Sequence, residues 1–191
     1  MEPSAYSANE IYDALTPDRR KMLTALPYRA GLYVSFSDVT GGWDAQEAEI
    51  QSLTGILRGY AMEASLPSFS QKVLMDCLAE RGQWPSWSQD IGAVPSEAVS
   101  VTDDLVTMMG AEELSAFKGL ILDVALGVAM AFRENADGGR AESHDAGLFQ
   151  SLLSRLIGGE EERAGVLDHL NISGAEREAL SRLSAALGHK L

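Results

Sequence analysis

The stretch from Gly119 to Phe132, GLILDVALGVAMAF, is the longest apolar tract in the chain and decides its fold class. It is interrupted by Asp123 and is shorter than the roughly 20 residues a helix needs to cross a bilayer, so it reads as a buried helix. Extended outward, its apolar positions Phe117, Leu120, Ile121, Val124, Val128 and Phe132 keep helical spacing. The spacing predicts a helix from Ala111 to about Glu134, the spine of the fold. No comparable strand signal exists: β-branched residues nowhere alternate with polar ones for more than a few positions, while Ala, Leu, Met, Glu and Arg fill the periodic segments. The chain is expected to be all-α, a compact bundle of about 8 to 9 helices.

The 191 residues suffice for one domain with its own apolar core. Apolar residues make up 46% of the chain, too many for intrinsic disorder. The formal net charge of −13 opposes binding to phosphate backbones or anionic membranes, which rests on clustered Lys and Arg. Neither nucleic acid nor membrane insertion is expected. Cys77 is the only cysteine, so no internal disulfide can form, and the N-terminus MEPSAYSANE lacks the basic and apolar regions of a secretory signal. A cytoplasmic location follows as the expectation.

Start and stop signals divide the rest. A short helix is expected over Asn9 to Leu15, and Thr16-Pro17 then caps a longer helix reaching about Ser37, with a kink or break near Leu26 because Pro27 lies inside it. Asp44 with Glu47 forms a D-x-x-E box before the apolar positions Ile50, Leu53, Ile56 and Leu57, opening a helix that ends near Ser65-Leu66-Pro67. Further helices are predicted from about Ser68 to Arg81, from about Ser96 to Gly110, from Ser143 to Leu156, from Glu160 to Leu170 and from Gly174 to Leu187. The last opens on a Ser173/Glu176 capping box. Between them, Gln83 to Pro95 (QWPSWSQDIGAVP) reads as irregular. Trp84 and Trp87 in this stretch either cover one end of the helical core or form an aromatic contact patch for a protein partner or for self-association.

The chain also resembles itself. At an offset of 96, RAGLYVSFSD (29–38) aligns with ALGVAMAFRE (125–134), matching Gly31 with Gly127, Phe36 with Phe132 and Asp38 with Glu134. Gly41-Gly42 aligns with Gly138-Gly139 at 97, and Ile50-Gln51-Ser52-Leu53 with Phe149-Gln150-Ser151-Leu152 at 99. Each half then holds an apolar helix, an acidic Gly-Gly loop and an amphipathic helix, giving repeats over 7–100 and 101–191 within a single domain spanning 1–191.

Those two loops are where chemistry is plausible by position. DVTGGWDAQEAE (38–49) has the outer spacing of an EF-hand calcium loop, from Asp38 to Glu49, but Thr40, Gly42 and Trp43 occupy interior positions where ligands and a turn glycine belong. ENADGGRAESHD (134–145) fails similarly at Ala136 and Gly138. A different set of hard oxygen ligands, Asp38, Asp44, Glu47 and Glu49, can still converge where one helix ends and the next begins, to hold calcium or another divalent cation. Helix capping accounts for Asp44 and Glu47 equally well. His144, His169 and His189 lack metal-motif spacing and read as solvated or capping residues; Cys77, in VLMDCLAE, reads as a buried inert thiol. Phosphate-binding glycine loops, nucleophile elbows and C-x-x-C pairs are absent from the sequence, which names no catalytic residue and leans away from an enzyme.

The apolar helix GLYVSFSD, the Gly-containing turn VTGGW and the acidic helix start DAQEAE together resemble the tellurite-resistance TerB-like family of all-helical proteins. The resemblance implies a non-enzymatic protein associated with stress or phage defence, with an acidic surface implicated in divalent-metal binding. It implies that Asp38, Asp44 and Glu47 match the family's loop. The likeness covers one helical hairpin in each half. The family loop runs close to A-D-G-x-[IV]-x-x-x-E; here Ser37 replaces the alanine, Val39 follows the aspartate and two glycines come later. The alternative from the residues alone is a helical scaffold or homo-oligomer without metal, and less favoured is an enzyme acting on a small molecule between the halves.

Overall fold

The computed structural model describes residues 6–37, 43–136 and 172–190. Among them there is no strand, and eight α-helices follow in order: α1 (Ala8–Ala14), α2 (Pro17–Ser35), α3 (Trp43–Ala61), α4 (Ser68–Ala79), α5 (Trp84–Trp87), α6 (Val94–Val106), α7 (Ala111–Ala136) and α8 (Gly174–Leu187). Short 3-10 turns at Arg81–Gln83 and Ile91–Ala93 flank α5. No helix among the described residues is long and apolar enough to cross a membrane. The helices expected over 143–156 and 160–170, and with them the second hairpin of the duplication, lie outside the described residues.

Local chemistry fixes the helix starts. Ser7 accepts from the Glu10 amide while Glu10 accepts from the Ser7 amide, a capping box that opens α1. Thr16 Oγ1 accepts from the Arg19 amide at 3.3 Å, with Pro17 at the first helical position of α2. Ser173 and Glu176 make the expected box at α8, which ends at Gly188 in the left-handed conformation (φ 59°). At the other end of α3, Gln71 Nε2 donates to the Ala61 carbonyl at 3.1 Å, so a side chain of α4 satisfies one of the terminal carbonyls of α3.

Two boundaries differ from expectation. α2 runs through Pro27 without a break. A proline inside a helix costs about 3 kcal/mol, and here the run Leu23 to Leu32 is buried on every face, so packing from all sides offsets that loss. The segment Gln83 to Pro95 is a succession of short helical turns in place of a loop; turns closed by i to i+3 bonds carry no 3.6-residue apolar period by which to recognise them.

α2 and α7 pack along each other and form the central layer. One face of the pair, with Leu26, Ala30 and Val34 of α2 and Phe117, Ile121 and Ala125 of α7, joins the apolar cluster built with α1, α6 and α8. The opposite face, with Ala25, Tyr28 and Leu32 of α2 and Leu120, Val124 and Val128 of α7, joins a second cluster with α3 and α5. α4 contributes Phe69 and Val73 to the first and Leu74 and Cys77 to the second. A helix apolar all round must be enclosed on all sides, which is why GLILDVALGVAMAF lies at the centre. α3 lies across the central pair: a methyl built on Gly31 would stand 2.6 Å from Leu53 Cδ1, and one on Gly127 would stand 3.5 Å from Ile56 Cγ2. The two glycines that the self-alignment superposes therefore both face α3, one turn apart along it.

Candidate functional site

The acidic turn is set by the end of α2 and the start of α3. Phe36 donates its amide to the Leu32 carbonyl at 2.8 Å, and Ser37 caps the end by donating its hydroxyl to the Val34 carbonyl at 2.6 Å. Asp38, the first of the expected ligands, lies outside the described residues. α3 begins at Trp43, one residue before the expected cap, so Asp44 and Glu47 fall within its first two turns. Three residues apart on a helix, they share a face; Glu49, two residues beyond Glu47, is rotated by about 200° around the axis. The backbone thus brings Asp44 and Glu47 together and takes Glu49 to the other side of α3. The side chains of these three, and most of the second acidic loop (134–145), lie outside the described part. Among the described residues no group of three or more His, Cys, Asp or Glu is placed to hold a metal ion.

Trp84 and Trp87 are each only 4% exposed. Trp84 stacks on Tyr28 with ring centroids 4.4 Å apart, donates its indole N–H to the Cys77 carbonyl at 3.1 Å, and has the Arg81 guanidinium 5.3 Å over its ring. Trp87 meets the same tyrosine at 6.3 Å. The rings therefore cover the second apolar cluster, and their inward orientation removes them from the surface a partner would meet. The exposed residues of α5 are Pro85 and Ser86. Cys77 is fully buried beneath this cover, and burial pushes its thiol up to about 12. His189 Nδ1 lies 3.5 Å from Ser115 Oγ; His144 and His169 lie outside the described residues.

What holds the α5 region is a residue that sequence reasoning missed. Arg29, 7% exposed in the middle of α2, grips Glu97 of α6 with Nε (2.8 Å) and Nη2 (3.0 Å). Its Nη1 donates to the carbonyls of Trp87 and Gln89, and Nη2 donates also to that of Asp90 at 3.2 Å. All five guanidinium N–H groups are thereby used. The signal was available: a lone arginine inside LTALPYRAGL can be buried only if it is paired. Its partner, 68 residues away, was not readable.

Beside the end of α2 an open groove of about 440 Å³ runs between Tyr33, Phe36 and Ser37 on one side and Ala175, Glu178, Ala179 and Arg182 of α8 on the other, with Ile91 and Gly92 forming a third wall. Arg182 pairs with Glu178 within the turn of α8, and that carboxylate holds its guanidinium above the usual range. The groove is mainly apolar with this one ion pair at its edge. Compared with protein-family models, curated proteins and solved structures, the chain gives no match.

Proposed function

We propose that this chain is a non-enzymatic, TerB-like cytoplasmic protein that binds a divalent cation, calcium or one like it, at the acidic turn between α2 and α3, in a stress-related role. The observation that carries the reading is the short connection between two helices seated on one core. Asp38 follows Ser37 at the end of α2, and Asp44 and Glu47 share one face of the opening turns of α3. Hard oxygen donors at both ends of such a connection are what calcium or manganese takes, because these ions need several carboxylate or carbonyl oxygens in a flexible shell. The side-by-side packing of α2 and α7, the two helices that precede the two Gly-Gly loops, supports the duplicated hairpin on which the resemblance rests.

Calorimetric titration of the metal-stripped chain with calcium, magnesium and manganese tests it. The reading expects saturable heat near one site per chain with at least one ion, lost in Asp38→Asn and in the Asp44→Asn/Glu47→Gln pair but retained in Glu49→Gln. No heat and no thermal shift at millimolar ion would overturn it.

A further inference from the structure

Residues Ser88 to Ala93 join two buried anchors, Trp87 and Val94, and bury none of their own side chains fully. Ile91 is half-buried, touches both apolar clusters and, with Gly92, makes a wall of the groove beside α8. Asp90 stands in the left-handed region at φ 49°, a conformation that disfavours side chains with a Cβ. The helices on either side, α5 and α6, have no side-chain cap at their N-termini. Against this weak local structure stands one strong tether: Arg29 holds the carbonyls of Trp87, Gln89 and Asp90 while its other edge grips Glu97. A second, lighter tie is the 3.2 Å hydrogen bond between Tyr28 Oη and Ser88 Oγ.

We propose that Ser88 to Ala93 is a flap hinged at Trp87 and Val94 and latched by Arg29, which opens the groove at Ile91 without unfolding the helical body. Segments with little buried apolar surface and few hydrogen bonds of their own open at far lower free energy than core helices. Here nearly all the restraint comes from a single guanidinium. Lysine keeps the charge but cannot span a carboxylate and three carbonyls at once, so Arg29→Lys isolates the latch from simple charge loss.

Amide hydrogen exchange followed by NMR on the full chain tests the flap at the hydrogen-bonded amides of Ser88, Ala93 and Val94, with the α7 amides as the reference for global opening. In the wild type the three are expected to exchange at least roughly a hundredfold faster than α7. Arg29→Lys is expected to accelerate them by at least roughly tenfold more and to leave α7 unchanged. Glu97→Gln, which loosens one edge of the latch, is the second variant and moves the same amides in the same direction. Flap amides that exchange only at the α7 rate in the wild type overturn the proposal. So do variants that leave the flap rates unchanged, or that accelerate flap and α7 equally.

Discussion

Three glycines inside helices give a signed test of the packing, because alanine at each gains the same backbone term and meets different surroundings. Replacing a helix-interior glycine by alanine stabilises by about 0.8–1.0 kcal/mol when nothing else changes. At Gly55 nothing lies within 4 Å of the new methyl, so Gly55→Ala is expected to gain about 1 kcal/mol. At Gly127 the methyl meets Ile56 at 3.5–3.8 Å, an ordinary contact, and the gain is expected to be similar. At Gly31 it would stand 2.6 Å from Leu53 Cδ1 and 3.1 Å from Val128 Cγ2, both on buried side chains. Leu53 must retreat by about 1 Å to restore carbon contact distances. Overpacking of this kind costs about 1–3 kcal/mol, which cancels or exceeds the helical gain and leaves Gly31→Ala about 1 kcal/mol less stable than wild type. The two matched glycines are therefore expected to differ by about 2 kcal/mol, or roughly 4–8 °C in Tm for a chain of this size. Urea denaturation followed by far-UV circular dichroism measures it, and Leu53→Val combined with Gly31→Ala should recover part of the loss. Gly31→Ala as stable as Gly127→Ala would refute the placement of α3 against the α2–α7 pair.

Other expectations follow from burial and capping. Trp84→Ala and Trp87→Ala should each cost about 3–5 kcal/mol in urea unfolding, because both rings sit in the second cluster; loss of self-association at unchanged stability would place the rings on the surface instead. Ser173→Ala should cost about 1 kcal/mol and Ser173→Asp should restore most of it, since the hydroxyl accepts from the Glu176 amide at 3.2 Å. Cys77 carries a pH dependence with a definite sign. Its thiol is pushed from about 9 in the unfolded chain up to about 12, so the folded chain keeps a proton that the unfolded chain gives up. The stability it contributes is complete below pH 9 and falls as pH rises toward 12, by roughly 1.4 kcal/mol per unit. Urea midpoints between pH 8 and 11 should show that fall, with a shallower slope in Cys77→Ala.

Elements whose start signals are local were legible in the sequence. Thr16-Pro17, the Ser173/Glu176 box and the apolar period of α7 each act within one or two turns, and the helices follow from them. Pro27 misled because the penalty it carries is local while the enclosure that offsets it comes from four neighbouring helices. The orientation of Trp84 and Trp87 was open for the same reason: a ring next to a proline in a polar stretch faces inward only because Tyr28, seated on α2, offers it a stacking partner. Arg29 illustrates the limit best, being visible as an oddity in an apolar run while its carboxylate and three carbonyls belong to a distant part of the chain. In the acidic turn the residue types were readable, whereas the face on which Glu49 falls depends on the helical phase of α3.

Trp43 immediately precedes Asp44, which makes terbium luminescence the most direct test of the cation-binding turn. Terbium added to the metal-stripped chain and excited through tryptophan is expected to emit with saturation near one ion per chain, to be displaced by calcium, and to lose most of its emission in Trp43→Phe while keeping it in Trp84→Phe. Absence of sensitised emission, or emission that grows without saturation and is indifferent to Trp43→Phe, would contradict a cation site between α2 and α3.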